Sequence, residues 1–146
     1  MSAAENNVIA AGGCLCEAVR YRIHGDLYGV VNCHCSKCRV FHGNFGAYVI
    51  IPLDTLDITE ERGLKWFLSV ADETPNVHRG FCTECGSSLF WHSREQERIG
   101  VAAGSLDAPT NTLTIAHVWL SQKSDYYEIN DDLPQFEKGW ERSGDE

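Results

Sequence analysis

At 146 residues, 43% of them hydrophobic, the chain has the size of one domain and enough apolar material to build a core. Its formal net charge of -9 argues against a nucleic-acid partner or an anionic membrane surface, and the Lys and Arg residues are too scattered to overcome that field. The polar stretch 1–7 has neither a basic start nor an apolar run, and the longest apolar segment, 47–53, is too short to span a bilayer, so a cytoplasmic location is expected.

In chain order, the first pattern is Val19, Tyr21 and Ile23 alternating with Arg20 and Arg22, the signature of a half-buried strand. Further strand-like runs are expected at 28–32, 47–51, 65–68, 77–81, 88–92, 98–102 and 114–120. They are rich in Val, Ile, Tyr, Phe and Trp and are punctuated by Gly, Pro, Asn and Asp. One helical turn at 37–41 follows the central cysteine group, and no window sustains an apolar stripe over three helical turns. The end of the chain, 141–146, is expected to fray. The prediction is a single, mainly β domain with little helix.

The seven cysteines carry the functional information. They form three groups: Cys14 and Cys16; Cys33, Cys35 and Cys38; and Cys82 and Cys85, the last followed by Gly86. Zinc takes four ligands in a tetrahedron, at about 2.3 Å for sulfur. A C-x-x-C-G turn brings two sulfurs together, and a C-x-C on a strand projects both from one face. The odd number and the lack of an export signal count against disulfides. Core packing explains single cysteines, not seven in three tight groups. No βαβ pattern surrounds Cys82 and Cys85, which a thioredoxin-like redox pair would need. Zinc ligation remains, divided four plus three: Cys14, Cys16, Cys82 and Cys85 in a closed site, with Cys33, Cys35 and Cys38 in an open one. Spacing alone leaves a second partition, in which Cys14, Cys16, Cys33 and Cys35 form the closed site.

These motifs resemble those of the glutathione-dependent formaldehyde-activating enzyme (GFA) family, which also contains centromere protein V. The resemblance rests on Gly12-Gly13-Cys14-Leu15-Cys16, on Cys33-His34-Cys35-Ser36-Lys37-Cys38-Arg39, and on Phe81-Cys82-Thr83-Glu84-Cys85-Gly86. Gly104-Ser105-Leu106-Asp107 and the tail residues His117, Trp119, Ser124 and Pro134 extend it, so that it runs from about 12 to 136. It implies small antiparallel sheets arranged around zinc sites. It also implies a structural zinc on Cys14, Cys16, Cys82 and Cys85 and a catalytic zinc on Cys33, Cys35 and Cys38. The implied reaction makes or breaks a carbon–sulfur bond between glutathione, or a similar thiol, and a small aldehyde.

Elementary chemistry points the same way. Three thiolates on Zn²⁺ leave a net negative, weakly Lewis-acidic centre, ill suited to making a zinc hydroxide and well suited to a sulfur ligand. A thiol bound there is deprotonated and nucleophilic. The added charge calls for a cation, and Arg39 and Lys37 are the candidates by sequence proximity. For a proton donor the candidates are His42, four residues beyond Cys38, and Tyr48, whose apolar strand also suits core packing; alternation points His34 away from the metal. The Trp and Phe residues are expected to fill the core between sheets. The competing class is a non-catalytic zinc-stapled binding module. A methionine sulfoxide reductase of the B type needs a redox cysteine outside its zinc tetrad, in a sequence context absent from this chain.

Overall fold

The computed structural model describes residues 7–70 and 74–140; the tail 141–146, expected to fray, lies outside them. The architecture is mainly β, with two sheets and one α-helix among the described residues. The smaller sheet has three strands, in the order β1 (Ala10–Gly13), β2 (Arg20–Ile23), β5 (Leu56–Glu60). The larger sheet contains β3 (Val30–Cys33), β4 (Gly46–Pro52), β6 (Leu64–Leu68), β7 (Val77–Cys82), β8 (Ser88–Ser93), β9 (Arg98–Ala102) and β10 (Thr114–Val118). Its order is β10-β3-β4-β9-β8-β7-β6. Every pairing is antiparallel except β10 with β3, which is parallel.

Alternation along the central strands gives the large sheet two different faces. On β4, Val49 and Ile51 join the main core with Tyr21 and Ile23 of β2, Phe90 of β8 and Val101 of β9. Tyr48 and Ile50, the intervening residues, belong instead to a second cluster around Cys35 and Cys38. One face of the sheet therefore packs on the small sheet while the other carries the cysteine triplet. The main core buries twelve large apolar side chains; at roughly 1.5–3 kcal/mol each, it dominates the favourable side of folding.

The helix α1 (Ser36–His42) spans two turns, one more than expected. Its start is capped by a sulfur, since the Cys35 side chain accepts the Cys38 amide at 3.3 Å. Gly43, at φ 92°, ends it in the left-handed conformation that glycine adopts without strain, and its N–H returns to the Arg39 carbonyl.

Two strands were not anticipated. The sequence Ala10-Ala11-Gly12-Gly13 has no β-branched or aromatic residue, and β1 exists because it fits a narrow space. A Cβ at Gly12 would collide with the Ser105 carbonyl and the Tyr21 ring. The other strand, β5, is mostly polar and pairs along the outside of β2. The Gly104–Asp107 motif locks this corner: Ser105 Oγ and Tyr21 Oη lie 2.6 Å apart, and Arg20 bridges to Asp107 at 2.6 Å.

Candidate metal centre

Two groups of sulfurs converge, and they follow the first partition rather than the second. Cys14, Cys16, Cys82 and Cys85 form one group, and Cys33, Cys35 and Cys38 the other, with the sulfurs in each group within 4.8 Å of one another. None of the seven is disulfide-bonded. In the tetrad, Cys14 to Cys16 and Cys16 to Cys82 are each 3.7 Å apart. A tetrahedron with sulfurs about 2.3 Å from its centre has edges of about 3.8 Å, so these two edges fit a zinc ion.

Local backbone builds the tetrad from two turns. Cys14 and Cys16 sit just beyond the end of β1, in a turn and not on a strand as expected; the turn passes through Glu17 at φ 69°. Facing them, β7 ends at Cys82, and a turn closed by the Gly86 amide on the Cys82 carbonyl at 2.8 Å presents Cys85. Backbone amides then point at sulfur: Val19 N to Cys14 at 3.1 Å and Glu84 N to Cys82 at 3.3 Å. The Ser87 hydroxyl, 3.2 Å from Cys85, pulls that thiol down to about 5. Such donors favour thiolate, the form that binds metal. With Cys14 and Cys82 buried and four sulfurs available to close a tetrahedron, this group suits a structural ion.

The triplet is built differently. Cys33 ends β3, Cys35 caps α1 and Cys38 lies in its first turn, so a strand end and a helix start aim three sulfurs at one point. Hydrogen bonds from Cys33 and Cys38 draw the Cys35 thiol down to about 2, and the same sharing holds Cys33 well above its ordinary value. Without a cation, one thiolate is solvated by its two neighbours; three thiolates together require a positive ion. These sulfurs line a cavity of about 410 Å³.

The cavity lining carries Lys37 and Arg79 and, among the described residues, no carboxylate. Arg79, on β7, is 2% exposed, and its Nη1 lies 3.6 Å from Cys38 Sγ. Tyr48 Oη is 3.9 Å from the same sulfur and hydrogen-bonds His42 Nε2, so His42 reaches the triplet through the tyrosine. Burial pushes the Tyr48 hydroxyl well above its usual value and holds His42 down to about 4, so the pair is neutral at pH 7. Arg39 lies outside the lining; its Nε is buried without a hydrogen-bond partner, and its charge acts on Tyr127. His34 turns away, into a row that runs from the interior to the surface: its Nδ1 meets the hydroxyl of half-buried Tyr127, its Nε2 lies 3.0 Å from buried His117, and His117 reaches exposed Asp131 at 2.7 Å.

Sequence reasoning gives no site role to Arg79, Trp91 or Trp119. Arg79 shares the alternation of Val77 and Phe81, where an apolar residue was due, and that misfit was its one signal. The tryptophans do not all fill the core: Trp66 stacks on the core ring of Phe90, whereas Trp91 and Trp119 pack beside the triplet and line its cavity.

Comparison with known proteins agrees with this geometry. Residues 9–122 match the model of the family described as glutathione-dependent formaldehyde-activating enzyme. Among solved structures, the fold is similar to the crystal structure of a Rhodobacter sphaeroides protein, a structural genomics target, at 22% identity and a TM-score of 0.54. The likeness covers 71% of this chain and 98% of that one. A comparison with curated proteins returns no match. With its family match spanning both cysteine groups, the chain belongs to the glutathione-dependent formaldehyde-activating enzyme family.

Proposed function

We propose that the chain is a zinc-dependent carbon–sulfur lyase that joins or separates a thiol, glutathione or one like it, and a small aldehyde. The observation that carries this reading is the placement of three sulfurs at the wall of a cavity whose charged lining residues, among those described, are both cationic. Cys33, Cys35 and Cys38 are the residues that would hold the catalytic zinc, and Cys14, Cys16, Cys82 and Cys85 a second, structural one. A zinc ion on three sulfurs supplies a soft binding position for a thiol and lowers that thiol's proton affinity.

The remaining work belongs to the chain's own groups. Arg79 and Lys37 offset the negative charge that an anionic thiol brings to a site already rich in thiolate. In the joining direction the sulfur–carbon bond forms as the carbonyl π pair moves to oxygen, and that oxygen takes a proton. The Tyr48 hydroxyl, held by His42, lies 3.9 Å from the Cys38 sulfur, and we assign it as donor to this oxygen and as acceptor in the reverse direction. Arg39 fits a structural role on the far side of α1 better than a place at the reacting atoms. A cytoplasmic setting suits the reading, because thiols there stay reduced. No helix among the described residues is long and apolar enough to cross a membrane.

The test is the rate of thiol–aldehyde adduct formation by zinc-loaded protein, measured against the uncatalysed background and against Cys38→Ala. Acceleration lost in the variant supports the reading. Background rates for every thiol tried, with unchanged thiolate charge-transfer bands in cobalt-substituted protein, support a binding module instead.

A further inference from the structure

The walls of the triplet cavity differ in character. Pairing places Ile50 opposite Gly100, Gly100 opposite Trp91, and Trp91 opposite Arg79, a row crossing four strands from apolar to cationic. At a strand spacing of about 4.8 Å, the two ends of this row lie roughly 14 Å apart. Gly100 keeps the floor low between Ile50 and Trp91, since a Cβ there would press on Tyr48 and Ile50 at 3.2 and 3.3 Å. Trp119 stands nearby, packed with Trp91 and Ile50 against Cys35, Cys38 and Tyr48.

Trp119 reaches that position in an unusual backbone state. Its φ of 59° and ψ of 40° lie in the left-handed region, which bulky residues rarely occupy. The tail holds it there: the Trp119 amide donates to Lys138 O at 2.9 Å, and Leu120 and Ser121 donate to Phe136 and Glu137 at 3.1 Å. A strained tryptophan maintained at a cavity wall is the kind of outlier that points to a role. Formaldehyde, with one carbon, has nothing to lay against this wall. A polar tripeptide thiol gains little from it, and its carboxylates are drawn to the cationic end.

We infer that Trp91 and Trp119 form an aromatic seat for the apolar body of the electrophile, so that the chain acts on adducts of aldehydes larger and more apolar than formaldehyde. This rests on the thiol–aldehyde reading of the site. The chemistry is unchanged: the S–H adds across C=O, the sulfur bonds to carbon, the proton goes to oxygen, and nothing is oxidised or reduced.

Inert thioethers test the seat apart from catalysis. Titration calorimetry of the zinc-loaded full chain compares S-hexylglutathione with S-methylglutathione. The hexyl compound is expected to bind at least about tenfold tighter, given the burial of several methylenes. Trp119→Gly suits the left-handed backbone and so retains the turn; it and Trp91→Ala should each cut the preference to about threefold or less. Equal binding of the two ligands by the native protein overturns the inference, as does a preference untouched by both variants. Turnover of glutathione with hexanal and with formaldehyde separates the two readings. A tryptophan-dependent hexyl preference without turnover of either pair removes the proposed reaction and keeps the seat, whereas turnover of formaldehyde without any hexyl preference does the reverse.

Discussion

The Arg79 guanidinium donates to the Cys38 sulfur across 3.6 Å, and the same side chain reaches Ser69 Oγ at 3.1 Å and lies 5.5 Å from the centre of the Phe41 ring. A buried arginine gains from an anion beside it, and a triplet of thiolates gains from a cation beyond the metal, so each lowers the cost of burying the other. Arg79→Gln should weaken zinc retention at the triplet by about tenfold, in line with a charge-assisted hydrogen bond of roughly 1.5–3 kcal/mol. Arg79→Lys, which keeps the charge and loses the planar fork, should fall between. Competition with a chromophoric chelator measures this, and equal retention by native protein and Arg79→Gln would refute the pairing.

Metal stoichiometry should approach two zinc ions per chain after gentle purification, with one released first by chelators. The early ion is assigned to the triplet, which has three sulfurs and an open cavity. A value fixed at one after zinc addition, with Cys33, Cys35 and Cys38 freely alkylated, would remove the second site.

The two sites should also separate by their effect on folding. Cys82→Ala leaves three sulfurs where β1 and β7 meet and should abolish stable folding, because structural zinc contributes on the order of 10 kcal/mol in small modules. Cys35→Ala should remain folded with metal lost at the triplet. Circular dichroism with metal analysis decides; a mild Cys82→Ala beside an unfolded Cys35→Ala would reverse the roles.

For Tyr48 the informative change is Tyr48→Phe, which keeps the ring between Ile50 and Cys38 and removes the hydroxyl. We expect kcat to fall by about 10²–10³, the usual scale for a lost proton donor, with thermal stability little changed. His42→Gln should lower kcat less, since it acts through Tyr48. A Tyr48→Phe enzyme with native kcat would show that the ring, and not the hydroxyl, matters.

The pH dependence of stability carries a sign. Burial first, and the Arg79 charge second, hold His42 down to about 4, against an ordinary value near 6.5. Between these values the unfolded chain binds a proton that the folded chain does not, so stability rises with pH in that window and is lost as pH falls through it. This imidazole should steepen the dependence by up to about 1 kcal/mol per pH unit between pH 4 and 6.5. Urea midpoints across that range should show a shallower slope for His42→Gln than for the native chain; identical slopes would contradict the assignment.

Much of this molecule is legible in its sequence, for identifiable reasons. Arg20–Ile23 is read correctly because burial on one face imposes period two, and Arg98–Ala102, buried on both faces, is read from its short apolar run. The cysteine groups are visible because a metal demands donors in tight clusters. β1 is not legible because its reason for being extended lies in Tyr21 on the facing strand and in Ser105, far away along the chain. Cys14 and Cys16 were placed on a strand because C-x-C fits an alternating backbone, yet a tight turn brings the same two sulfurs to 3.7 Å.

The residues around the triplet were harder still. Proximity to Cys38 proposes Lys37, which lines the cavity, His42, which meets Tyr48 beside it, and Arg39, which lies outside the lining. Arg79 is 41 positions from Cys38 and arrives through the stacking of β7 beside β8, a relation no local pattern encodes. Trp119 reads as one more strand tryptophan until its backbone turns left-handed at the end of β10.

Cys16 and Cys82 touch across 66 positions of chain, and the triplet lies entirely inside the loop they close. With metal in the tetrad, that loop is clipped at its base, and closing it without the metal would cost about 4 kcal/mol from length alone. A protease cut anywhere between residues 17 and 81 would then leave two fragments still riveted by four sulfurs, one carrying Cys14 and Cys16 and the other Cys82 and Cys85. Such a nicked molecule would run as one species in native electrophoresis and as two once a chelator is added, so backbone continuity through this region is dispensable for holding the halves together.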